Sequence, residues 1–144
     1  MKFIPVTTLL LLVMFQFSVI AQDMNQFHKL RKAAEGFANT NELDKSEATY
    51  LKAIKIYNHD PITYKGLASL YLKMNKLKES DAFIKLAINN GADISMLLAE
   101  TNISAYLELH PEHYNLYNDL HKQYKISQQI QDKKRWVDYL TTTF

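Results

Sequence analysis

The chain has 144 residues, with 17 basic and 15 acidic side chains, three glycines, three prolines and no cysteine. So even a balance argues against a nucleic-acid binder or a strongly charged membrane-surface protein, each of which needs a basic excess. Without cysteine there is no disulfide, no thiolate zinc site and no acceptor for the lipid of a bacterial lipoprotein.

Residues 1–21 read as a secretory signal: Lys2 supplies the basic end, Leu9 to Phe15 the apolar core, and Val19-Ile20-Ala21 a small-residue exit. Cleavage is expected after Ala21. The alternative, an uncleaved membrane anchor, is weakened by Gln16 and Ser18, which interrupt the apolar stretch. Removal leaves 123 residues with 16 basic and 15 acidic side chains, enough for one compact domain with a modest core over residues 22–144. No later segment has the length and apolarity to span a bilayer. A periplasmic or secreted product without stable membrane insertion is expected, and both compartments fit.

From residue 27 onward the chain repeats itself. Setting residues 27–60 over residues 61–94, an offset of 34, matches Ala34 with Ala68, Asn41 with Asn75, Leu43 with Leu77, Ser46 with Ser80, Ala48 with Ala82, Ala53 with Ala87 and Ile54 with Ile88. Composition alone gives roughly two such identities, and a period of this length marks a helix-turn-helix unit. In the first unit Phe27, Leu30, Ala33, Ala34 and Phe37 recur at helical spacing, Thr40-Asn41-Glu42 turns the chain, and Leu43, Ser46, Tyr50, Ala53 and Ile54 mark a second helix. The second unit follows as Tyr64, Leu67, Ala68 and Tyr71, then Met74-Asn75-Lys76, then Leu77, Ser80, Ile84, Ala87 and Ile88. The expected core therefore holds Leu30, Ala34, Phe37, Tyr50, Ala53, Tyr64, Leu67, Ala68, Tyr71 and Ala87, small residues letting helices approach and large ones filling between them. Each turn Asn stands where a helix ends, because Asn tolerates the left-handed conformation.

This order of large, small, aromatic, turn Asn and small residues around a second aromatic resembles the tetratricopeptide repeat, over residues 27–94. The resemblance implies an all-α fold: a right-handed stack of antiparallel helix pairs, an α-solenoid, here with two clear repeats and a degenerate third pair. Leu30 and Tyr64 stand where the family favours Trp, and Ser46 is an acceptable small residue before Tyr50.

Residues 91–111 read as an irregular insert, with Gly91 ending one helix, Pro111 opening the next, and apolar clusters at Met96-Leu97-Leu98 and Ile103, Tyr106, Leu107. This order looks like the closing segment after degenerate tetratricopeptide repeats in exported bacterial proteins. Residues 112–142 are expected to form a capping helix pair: Tyr117, Leu120 and Tyr124 on one helix, a turn before Ile130, then Val137 and Leu140 on a last helix. Here the small positions hold His121 and Lys133. Trp136 either plugs the end of the stack or presents an aromatic to a partner.

Signatures of chemistry are weak. His110 and His113 flank Pro111-Glu112, but a proline breaks the helix that would aim both rings at one metal, so exposed loop histidines are expected and no metal site. Glu42 with Asp44 and Glu79 with Asp81 lie beside lysines on predicted solvent faces. No phosphate loop, nucleophile elbow or metalloprotease motif occurs, so neither catalysis nor a cofactor is expected.

In tetratricopeptide proteins the first helix of each unit lines a concave face where ligands lie. By that resemblance the peptide-binding candidates are Arg31, Glu35 and Asn39 in the first unit and Lys65, Ser69, Leu72 and Lys73 in the second. Arg31, Lys65 and Lys73 would favour an acidic or carboxylate-bearing peptide. The chaperone-clamping members carry a Lys and Asn pattern, which Glu35 and Gly66 do not reproduce here. The expected function is a non-catalytic, exported interaction module for a peptide or protein partner. The alternative is an assembly subunit that self-associates through its repeat end.

Overall fold

Two turns decide how the chain folds back. Asn41 and Asn75 take φ of 62° and 56°, the left-handed region that ends a helix. At the first, Asn41 N–H donates to Ala38 O at 3.4 Å and Glu42 N–H to Phe37 O at 2.8 Å; at the second, Asn75 N–H donates to Leu72 O at 3.0 Å and Lys76 N–H to Tyr71 O at 2.8 Å. These paired bonds satisfy carbonyls the helix ends would otherwise strand. Gly91, at φ 101°, makes the same turn a third time through Gly91 N–H to Ile88 O and Ala92 N–H to Ala87 O, both 2.9 Å.

The structure is a computed structural model that describes the backbone of residues 6–143 and the side chains of residues 22–142; the leader read over residues 1–21 lies outside the residues described with side chains. The described residues are all-helical: α1 (Val6–Asn39), α2 (Leu43–Ile56), α3 (Pro61–Lys73), α4 (Leu77–Asn89), α5 (Ile94–Leu98), α6 (Thr101–Leu109) and α7 (Pro111–Thr143). They fall into two units, one ending at Asn58 and one beginning at His59.

The first unit is the α1–α2 hairpin. Ser46 near the start of α2 donates its hydroxyl to Ala34 O of α1 at 2.8 Å, in a site where both residues are buried. Ala34, Tyr50 and Ala53 are buried as the sequence predicts, and Phe27 joins them with its ring edge-on to Tyr57 at 5.4 Å. Leu30 and Phe37 are only half-buried, against the expectation that both belong to the core.

The second unit opens with Asp60, whose carboxylate accepts from Thr63 N–H at 2.9 Å, and with Pro61, whose missing N–H costs nothing in the first turn. In the α3–α4 hairpin Ser80 donates to Ala68 O at 3.0 Å, the counterpart of the Ser46 bond one repeat earlier. Tyr64, Leu67, Ala68, Tyr71, Ile84, Ala87 and Ile88 are buried. Phe83 lies beside Tyr71, ring centroids 5.4 Å apart.

Residues 91–111 are regular rather than irregular. Asp93 caps α5, accepting from Met96 N–H at 2.7 Å, and the buried Leu97, Ile103 and Leu107 fasten α5 and α6 to the unit, with α6 against α3. The expected helix pair over residues 112–142 is instead one helix, α7. After Asn118 this stretch contains no Gly, Pro or Asn, so nothing stops the helix near Ile130. Its first half packs on α4 through the buried Tyr117, and His121 reaches Ala92 O at 3.1 Å. From Gln129 to Thr142 every residue is exposed, Ile130 at 63%. Trp136, 66% exposed, is therefore no plug.

Candidate functional site

Two of the predicted binding residues of α3, Lys65 and Ser69, are held from within their own unit. Ser69 is buried and donates its hydroxyl to Glu100 Oε1 at 2.8 Å, while Asn102 Nδ2 donates to Ser69 Oγ at 2.8 Å. Lys65 Nζ lies 3.7 Å from Glu100 Oε2. The start of α6 thus fills the face read as open to a peptide at Lys65 and Ser69. The reason is α6 itself, which the sequence reading left without regular structure. Leu72 is half-buried and Lys73 exposed, farther along α3.

On α1, Arg31 Nη1 donates to Glu35 Oε1 at 2.7 Å, one turn away, and Asn39 is exposed at the end of the helix. Arg31 and Glu35 occupy the places that Lys65 and Ser69 occupy in the next repeat. In both units a first-helix cation meets a carboxylate. The carboxylate belongs to the same helix in α1 and to the start of α6 in the second unit.

The densest polar chemistry lies elsewhere, where α4, α6 and α7 meet. Tyr117 O–H donates to Asp81 Oδ1 at 2.8 Å, and Lys85 Nζ donates to Asp81 Oδ2 at 2.7 Å. His113 Nδ1 stands 3.3 Å from the Tyr117 oxygen and 3.2 Å from the Tyr106 oxygen. With a proton on Nδ1, both phenol oxygens can accept from it. With the proton on Nε2, only Tyr106 has a hydrogen to give, since that of Tyr117 goes to Asp81. Burial works to raise the Asp81 pKa, but the hydrogen bonds from Lys85 and Tyr117 and the charges of Lys85 and His113 outweigh it and hold the carboxyl below its ordinary value. Burial first, then Asp81, pushes the Tyr117 phenol far up. Burial, then the charges of Asp81 and Glu112, raises Tyr106 as well.

A carboxylate that stays ionised beside a phenol that stays protonated exchanges no proton near neutrality, so the pair ties α4 to α7. Beside it runs a cleft of about 350 Å³ lined by Leu77, Lys78, Asp81, Tyr106, His110 and His113. His110 and His113 are half-buried here, with ring centroids 5.8 Å apart, rather than exposed in a loop. Among the described residues, no three histidine or carboxylate side chains group as a metal site would require.

No family model, curated protein or solved structure matches the chain.

Sequence reasoning missed this cluster, taking Asp81 as a solvated acid and Tyr117 as a simple core aromatic. Two signals were present. A buried tyrosine needs a partner for its hydroxyl, and His113 stands four residues before Tyr117, on the same helical face.

Proposed function

We propose that the chain is a non-catalytic, exported interaction module of tetratricopeptide type, which receives an acidic peptide or protein segment on the faces presented by its first helices. One observation carries this reading. The face of α3 already holds an acidic helix start, with Glu100 taken up by Lys65 and Ser69, and Asn102 completing the set. A surface that recognises a carboxylate by a cation and a hydroxyl within the chain has the chemistry to recognise one from outside it. Arg31 repeats the cation on α1, where an incoming carboxylate would compete with Glu35 for the guanidinium. The repeat assignment draws support from the two hairpins, whose turn bonds and serine-to-carbonyl bonds recur at the same offset as the sequence identities.

The test is an array of acidic peptides offered to the chain from Gln22 onward and to its Arg31→Glu, Lys73→Glu variant. Binding by the parent and a loss of at least about tenfold in the variant are expected. Equal binding by both removes the first-helix faces from the site. An array on which the parent binds nothing removes the peptide-binding reading.

A further inference from the structure

The distal half of α7 is exposed at every position from Gln129 to Thr142. Ile126, Ile130, Val137 and Leu140 follow one another at spacings of four, seven and three, and so line one face. Together with Trp136 beside them they are between 51% and 66% exposed. A helix of this length with no buried face is marginal in water, so its apolar side calls for a cover.

The charges say what kind. Residues 120–144 carry five basic and two acidic side chains, a net +3, whereas residues 22–119 carry eleven basic and thirteen acidic, a net −2. The near-neutral total conceals this segregation. Lys133 lies within the apolar face beside Gln129, and Lys134 borders it; Lys125 with Asp132 on one side and Asp138 on the other stand farther out, and Gln128, Gln131 and Arg135 lie opposite. A second copy of the same face is a poor cover. Whether paired parallel in register or antiparallel about its centre, the stripe sets Lys133 of one copy against Lys133 of the other. A protein groove would have to bring a carboxylate in register with Lys133. A phospholipid layer needs no such register: apolar side chains enter it, lysine stems reach back to the phosphates, and Trp and Tyr suit its boundary.

We propose that residues 126–142 of α7 lie on an anionic phospholipid surface, with Ile126, Ile130, Val137 and Leu140 turned into the acyl boundary and Lys125, Lys133 and Lys134 at the phosphates. Among the described residues no helix is long and apolar enough to cross a membrane, so the contact is peripheral. It is independent of the first-helix faces and stands or falls separately from them.

Trp136 is the one tryptophan of the chain, and its fluorescence reports on this helix alone. The chain from Gln22 onward, which contains every side chain described above, is mixed with phosphatidylcholine vesicles with and without about one-third phosphatidylglycerol. With the anionic vesicles the emission shifts to shorter wavelength and is quenched by brominated acyl chains; with the neutral ones both effects fall at least about tenfold. Lys133→Glu with Lys134→Glu lowers partitioning at least about tenfold, while the same charge change at Lys52 and Lys55 leaves it within about twofold. Circular dichroism of both variants checks that the helices persist, as substitutions at exposed positions allow. Unchanged emission with anionic vesicles overturns the proposal. So does a shift that needs no lipid and rises with protein concentration, which identifies a second copy as the cover, or one produced by an acidic helical peptide and not by vesicles.

Discussion

Asn41 and Asn75 are the residues on which both hairpins turn, at φ of 62° and 56°. Asn→Ala at either position is expected to cost about 1 kcal/mol, because a β-carbon without a compensating polar group strains the left-handed region, whereas Asn→Gly should be neutral or stabilising. Thermal unfolding of the two pairs of variants checks this. Both asparagines were legible in the sequence, since few residue types suit that conformation. Ser46 and Ser80 were legible only as small spacers. Their bonds to Ala34 O and Ala68 O depend on the axial register between two helices, which no local pattern states. Ser46→Ala and Ser80→Ala should each cost about 1 kcal/mol and, at equivalent places, by similar amounts. Ala53 and Ala87 have no exposed surface, so Ala53→Asp or Ala87→Asp forces an unpaired charge between helices and should cost several kcal/mol, about 3–5. A wild-type melting curve for either aspartate variant would mean the helices do not pack through these alanines.

Among the elements, α2, α3 and α4 follow from periodicity and turn chemistry, and α6 and the unbroken α7 do not. In residues 94–109 two short apolar clusters fit a loop as well as a helix until α3 offers a surface to bury Ile103 and Leu107. In α7 the reverse misled: a degenerate resemblance to a third repeat suggested a turn where no residue ends a helix. The joint between α4 and α7 was invisible for a similar reason, since Asp81 and Tyr117 are 36 residues apart. Tyr117→Phe should cost about 1.5–3 kcal/mol at neutral pH, the worth of a hydrogen bond to a charged acceptor. The Asp81 pKa is lowered in the folded state, so the stability it contributes is full above its unfolded value of about 3.9 and is lost as the pH falls through the folded value. The difference in melting temperature between parent and Tyr117→Phe should therefore be constant above about pH 5 and shrink below about pH 4. A difference that persists unchanged into acid would mean the Tyr117 hydroxyl does not serve Asp81.

At the scale of the whole molecule, an even charge balance hides a net −2 over residues 22–119 and a net +3 over residues 120–144, the distal part of α7 and the end of the chain. Composition excluded a basic surface for the chain as a whole but had no power over one helix. The binding face proposed from the repeats divides in the same way: Arg31, Glu35 and Asn39 remain on α1, while Lys65 and Ser69 serve the fold by holding Glu100. Lys65→Glu should accordingly destabilise the second unit, measured by hydrogen exchange of α6, rather than merely weaken an outside partner. The central claim is that two equivalent helical hairpins recur at one fixed offset along the chain. Its most direct test is nuclear magnetic resonance of the chain from Gln22 onward. The expected result is positive φ at both Asn41 and Asn75, helical carbon shifts on either side of each, and proximity of Ser46 to Ala34 together with that of Ser80 to Ala68. A helix running unbroken through residues 40–42 or 74–76, or one serine contact without the other, would contradict it.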